Sequence, residues 1–144
     1  MNKIPAIKSV MSAFPYWIDI HKSIPEAESM MNEHGISHLP VKIEGDLIAV
    51  IAHHDIEQAR ASFDDTNQIN DMTVSDICIF NVYKVDIQEP LDNVVMHMAK
   101  FHISSAIVMK GDRLAGVFTT NDACRCLGEY LRYQFRNDDG DDAA

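Results

Sequence analysis

The side chains able to do chemistry in this 144-residue chain fall in a few short segments. His53-His54-Asp55 invites a metal reading, but adjacent His side chains diverge and no third ligand stands at helical spacing. His34 and His38 are four apart, yet the intervening Gly35 is a helix stop, which spoils the shared face that zinc would need. Cys78, Cys124 and Cys126 are odd in number, and buried reduced thiols are expected of them. The i, i+2 spacing of Cys124 and Cys126 on a helix points them in different directions, so they make no metal pair. No metal site is expected. Nor is catalysis: there is no Gly-rich phosphate loop, no His-Glu-x-x-His and no Gly-x-Ser-x-Gly. What remains is two aspartates, Asp55 and Asp122, each near the start of a helix where a carboxylate can cap exposed N–H groups.

Those aspartates lie 67 residues apart, and the same offset holds without a gap back to the start of the chain. Ile7-Lys8-Ser9-Val10-Met11 falls on Val74-Ser75-Asp76-Ile77-Cys78, and Tyr16-Trp17-Ile18-Asp19-Ile20 falls on Tyr83-Lys84-Val85-Asp86-Ile87. About ten of fifty paired positions are identical, and most others pair apolar with apolar. Two copies of this kind predict similar half-units about a pseudo-twofold axis. Copies of about fifty residues are marginal alone, so they are expected to pack as one module.

Each copy carries the same local signals. Ile18-Asp19-Ile20 and Val85-Asp86-Ile87 alternate as strands do. Ser23 before Ile24-Pro25-Glu26, and Pro90-Leu91-Asp92, then mark helix starts. Leu91, Val94, Val95, Met98 and Phe101 form one apolar face; Ile24, Ala27, Met31 and His34 repeat it, which makes His34 a core position. Two short apolar runs follow in each copy, 39–43 with 47–52 and 106–109 with 114–118, each pair joined by a Gly-containing turn. A second helix closes each copy; the last is expected from Asn121 to about Tyr133–Phe135, with Leu127, Tyr130 and Leu131 facing inward. The fold class is therefore α/β (α+β), with two β-α-β-β-α repeats over 7–62 and 74–135, a polar linker at 63–73 and an acidic, disordered tail at 136–144.

The net charge of −10 argues against nucleic acid, which needs cations to replace phosphate counterions. No apolar run approaches the roughly 20 residues of a membrane span. Met1-Asn2-Lys3-Ile4-Pro5 lacks the apolar stretch of a secretory signal, so a cytoplasmic location is expected.

In Gly35-Ile36-Ser37-His38-Leu39-Pro40-Val41 and Leu114-Ala115-Gly116-Val117-Phe118-Thr119-Thr120-Asn121-Asp122, found in order and at one offset, the chain resembles a tandem cystathionine-β-synthase (CBS) domain pair, or Bateman module. The resemblance covers about residues 7–126, leaving no room for an attached catalytic domain, so a free-standing module is expected. It implies an adenosine derivative (AMP, ADP, ATP, S-adenosylmethionine or NAD) bound between the copies as a regulatory ligand, with no catalytic cofactor. It also implies a homodimer and a regulated partner protein. By the family's pattern, Asp122 or Asp55 takes the ribose hydroxyls. Thr119, with Thr120 beside it, takes phosphate at a helix start. Ile36, His38 and Val41 line an adenine slot, and Arg113 is the nearest cation to the second site. The first copy has Ala52 where the second has Thr119, leaving His53 or His54 as a substitute there; the second has His102 for Gly35 and Ile107 for Pro40. The second site is thus the stronger nucleotide candidate by residue type, with one occupied site per chain. The alternative is an interaction module whose clefts have decayed. Phe14-Pro15-Tyr16-Trp17 is read as core packing or as lining for adenine, and Met30, Met96 and His97 as a subunit interface.

Overall fold

The computed structural model describes residues 3–13 and 15–136. The strands are β1 (Ser12–Ala13), β2 (Ile18–Asp19), β3 (His38–Ile43), β4 (Asp46–Ala52), β5 (Lys84–Asp86), β6 (Ser105–Lys110) and β7 (Arg113–Thr119). The α-helices are α1 (Ile24–His34), α2 (His53–Ala61), α3 (Val74–Ile77), α4 (Leu91–Phe101) and α5 (Thr120–Leu131). Both the mixed α+β class and the strand-helix-strand-strand-helix order are as the sequence predicts. None of the described helices is long and apolar enough to cross a membrane. The tail at 137–144 and Phe14 lie outside the described residues.

Two compact units form, one of Phe14–Val82, the other of Met1–Ala13 with Tyr83–Ala144. In the first, β2 pairs parallel with β3 and β3 pairs antiparallel with β4. In the second, β5 and β6 repeat the parallel pair, β6 and β7 the antiparallel one, and β1 adds to the outer edge of β7. The registers are copies at the 67-residue offset: Ile18↔Val41 matches Val85↔Val108, and His38↔Ala52 matches Ser105↔Thr119. The bridge Val50↔Ile79 likewise matches Val117↔Ser12. Each repeat's opening segment therefore edges the sheet of the other. Ile7 is fully buried in the core of the second unit and Val74 in that of the first. Folding thus ties the copies together through sequence-distant contacts as well as through local ones.

Local chemistry sets the helix ends. Ser23 accepts the Glu26 N–H at 3.2 Å while Glu26 accepts the Ser23 N–H at 3.2 Å, a reciprocal capping box. Gly35 closes α1 at φ +63°, where a Cβ is costly. His102 closes α4 at φ +56°, so the same backbone is held there with the wrong residue for it. The stretch 63–73, expected as a polar linker, contains a 3₁₀ segment whose Ile69 is fully buried. Met72 also accepts the Ile24 N–H at 3.0 Å, which anchors that stretch to the start of α1.

Four expectations need correction. Leu127 and Tyr130 are each 58% exposed and Leu131 is exposed too; α5 instead packs inward through Ala123 and Cys126, so the apolar stripe was real but its direction was not. Tyr16 and Trp17 are half exposed, not core: Tyr16 stacks on His34 at 3.6 Å, and Lys42 sits over Trp17 at 4.6 Å. His34 is accordingly only part-buried. Among the cysteines Cys78 is buried, Cys126 part-buried and Cys124 exposed; burial pushes the Cys78 and Cys126 thiols up.

Gly116 is where β1 crowds β7. A Cβ there would stand 2.9 Å from the Ser12 carbonyl oxygen and 2.9 Å from Met11 Cγ. The equivalent position in the other repeat is Ala49, where the smaller Cys78 takes the place of Met11. Gly116→Ala should cost about 1–3 kcal/mol by overpacking, and Met11→Cys should return part of that loss, a coupling read from thermal unfolding of both single variants and the double. His102→Gly should stabilise by about 0.5–1 kcal/mol, raising the melting temperature by a few degrees.

Candidate functional site

In both repeats the second hairpin strand runs into a helix with no intervening loop, β4 into α2 and β7 into α5. The first N–H groups of such a helix have no helical acceptors and need others: the His53 and Thr120 N–H groups find backbone carbonyls, and the N-cap N–H needs a side chain. The aspartate at the third helical position supplies it. Asp55 Oδ2 accepts the Ala52 N–H at 3.1 Å, and Asp122 Oδ2 accepts the Thr119 N–H at 2.9 Å. In the second repeat Thr119 completes the box: its hydroxyl donates to Asp122 Oδ2 at 3.1 Å and accepts the Asp122 N–H at 3.3 Å. The hydroxyl hydrogen expected to meet phosphate is therefore held by Asp122.

The remaining carboxylate oxygens differ. Asp122, only 8% exposed, accepts from the Arg125 guanidinium through Oδ1 at 3.1 Å. Arg125 is half exposed and its Nε lies 3.7 Å from Glu129. In the first repeat Gln58 stands where Arg125 does. Among the described residues no Lys, Arg or His nitrogen lies within 4.0 Å of the Asp55 carboxylate. Asp55 is part-buried. Arg125 had one signal in sequence, its i, i+3 spacing from Asp122 on a helix.

The other candidate residues sort into two groups. Because His38 pairs with Ala52, the start of β3 and the end of β4 lie together, and with them Ile36, His38, His53 and Asp55. His53 is exposed, its Nε2 3.9 Å from Glu57, while its N–H donates to the Ser37 carbonyl at 2.8 Å. His38 is part-buried, its Nδ1 3.0 Å from the Ser37 hydroxyl. Ile36 is part-buried against the core. In the second unit Thr119 and Asp122 are joined by Thr120, exposed, whose N–H donates to Ser104 at 3.0 Å. Two residues stand apart. Val41 is fully buried in the core, its backbone between β2 and β4, so its side chain cannot line a slot. Arg113 opens β7 while Thr119 ends it, about 20 Å along the strand. Arg113 is therefore remote from Asp122, and Arg125 is the cation there.

A concave space of about 430 Å³ in the second unit is lined by Met98, His102, Ser104, Thr120 and Cys124 among others. Asp122 is not in its wall, so this space and the carboxylate are separate features. Among the described residues no three His, Cys, Asp or Glu side chains converge to hold a metal ion.

Comparison with known proteins gives a consistent picture. The profile of the CBS domain matches residues 7–62 and 74–129. An L-aspartate semialdehyde sulfurtransferase from Methanocaldococcus jannaschii is 32% identical over 129 residues, which take in 88% of this chain but 24% of the sulfurtransferase. The chain thus spans about a quarter of that relative. The CBS domain pair of protein MJ0100, crystallised with 5′-methylthioadenosine and S-adenosyl-L-methionine, is 32% identical and superposes at a TM-score of 0.79, over 89% of this chain and 99% of that one. A CBS-domain containing protein from Agrobacterium tumefaciens, 19% identical, shares the fold at a TM-score of 0.76 over 84% of this chain and 98% of its own. With both repeats matched and the strand registers duplicated at one offset, this chain belongs to the CBS domain family as a tandem pair.

Proposed function

We propose that this chain is a regulatory module that binds an adenosine derivative and alters a partner protein's behaviour according to ligand occupancy. One observation carries the reading: a CBS pair 32% identical over most of this chain holds two adenosyl compounds. The paired aspartates supply the chemistry, since a carboxylate accepts both hydrogen bonds of a ribose diol. AMP, ADP, ATP, NAD and S-adenosylmethionine all present that diol. Within the class, phosphate-free adenosyl compounds suit the side chains better. The Thr119 hydroxyl hydrogen is held internally, Ala52 replaces it in the first repeat, Arg113 is remote, and the chain carries a net charge of −10. The role is sensing, not catalysis: ligand shifts the population of arrangements that a partner distinguishes.

A second reading, assembly without ligand, has one observation in its favour. An open apolar groove of about 830 Å³ runs beside α4 and α5, lined by Leu91, Val95, Ala123, Leu127 and Tyr130 among others. In the other repeat the places of Val95 and Leu127 are taken by Glu28 and Arg60, which form an ion pair. A homodimer through the apolar face fits this contrast better than one through Met30, Met96 and His97, since Met30 packs against the core and His97 stacks on Tyr83, leaving Met96 alone well exposed. Leu127→Asp should therefore shift sedimentation toward the monomer, and an unchanged distribution would remove this face from the interface.

Thermal unfolding with millimolar 5′-methylthioadenosine, S-adenosylmethionine, AMP, ATP and NAD tests the ligand reading. Ligand at a hundred times its dissociation constant adds about 2.7 kcal/mol, a shift of several degrees. The shift should be larger for the phosphate-free compounds and absent from the Asp55→Asn, Asp122→Asn double variant. No shift with any compound would leave assembly as the function.

A further inference from the structure

We infer that the two carboxylates are unequal sites, with Asp55 open to a ribose diol and Asp122 closed by Arg125 acting as a latch. The inference rests on the ligand reading above and specifies it. A carboxylate offers about four lone-pair positions. Asp122 has three of them in use: the Thr119 N–H and hydroxyl on Oδ2, and the Arg125 guanidinium on Oδ1. A diol brings two donors, so it cannot seat on Asp122 until a partner leaves. Among the described residues Asp55 has one position in use, by the Ala52 N–H, which leaves three.

The identity of the partner makes the difference selective. Replacing a guanidinium by a neutral hydroxyl exchanges a charge-assisted hydrogen bond for a weaker one in a carboxylate that is nearly buried. Arg125 is itself half exposed and braced by Glu129, so it can swing away without disturbing the core. Its helix position, one turn after Asp122, is filled by Gln58 in the first repeat, and Gln58 makes no hydrogen bond to Asp55 among the described residues. The order of filling is thus the reverse of that suggested by residue type, where Thr119 favours the second repeat. The residue that would add a phosphate donor also occupies the acceptor that ribose needs.

Calorimetric titration of the full chain with 5′-methylthioadenosine, which carries no phosphate to attract Arg125 directly, reads both sites. The wild type should bind one equivalent tightly, lost in Asp55→Asn and kept in Asp122→Asn. Arg125→Gln should raise a second equivalent by about tenfold or more in affinity, and Gln58→Arg should weaken the first by a similar factor. Arg125→Gln leaving the isotherm unchanged, or weakening it, would overturn the latch while leaving the ligand reading intact. So would loss of the tight equivalent in Asp122→Asn. Binding by no variant and not by the wild type would overturn both. Gln58→Arg places the change on an exposed helical position, so that arm stands even if Arg125→Gln fails to fold.

Discussion

A strand that becomes a helix without a loop leaves its first amides with no acceptor inside the helix, and this constraint governs both repeats. In both repeats an aspartate at the third helical position takes the N-cap N–H through Oδ2, while the next N–H, of His53 or Thr120, finds the carbonyl of Ser37 or Ser104. The geometry then follows. The carboxylate is tethered at the end of the hairpin, one oxygen is held by the backbone, and the other is turned away from it. If recognition draws on the same group, the capacity left for a ligand is whatever capping has not used. Capping and the proposed ribose binding would not be rival roles for Asp55, since they would use different lone pairs of one carboxylate.

The second constraint is that neither repeat completes its own sheet. Residue 79 bridges to β4 and β1 pairs with β7, so each edge is supplied from the other copy's opening segment. Ile7 and Val74 bury fully in the cores they join. A unit deprived of that segment exposes a strand edge and loses a core residue. The close approach at Gly116 shows how finely this edge is fitted. Where the opening segment carries Met11 the strand carries glycine, and where it carries Cys78 the strand carries Ala49.

How much was legible depended on whether the signal was local. Ser23 with Glu26, Gly35 before β3, and the paired hairpins are short-range patterns, and they formed as written. The repeat carried the second copy along with the first, including the left-handed turn at His102, which the sequence alone disguises. Directions and pairings were illegible. Leu127 and Tyr130 follow the period of an inward stripe, but the period does not say which neighbours the helix has. Arg113 is close to Asp122 in sequence and a whole strand away in space. Val41 sits in a segment that carries the family pattern, and its side chain is core. Ile69 is one apolar residue in a polar stretch, too short a signal to mark burial.

Arg125 is the most consequential of these, because it changes what a matched backbone can do. The junctions at Asp55 and Asp122 share strand register, helix position and the carboxylate-to-amide bond. Among the side chains that differ are Ala52 against Thr119, Gln58 against Arg125, and His53 against Thr120. In the second repeat two of these side chains, Thr119 and Arg125, donate to the carboxylate. Enriching a site with polar groups is usually read as improving it. Here the added donors occupy the carboxylate itself, and Asp55, with fewer of them, would keep more room for a ligand. Two sites built so would fill over different ranges of concentration, because the second must break an ion pair that the first lacks. A module of this design responds over a broader span than two equal sites, and it does so through side chains alone, with no change in fold.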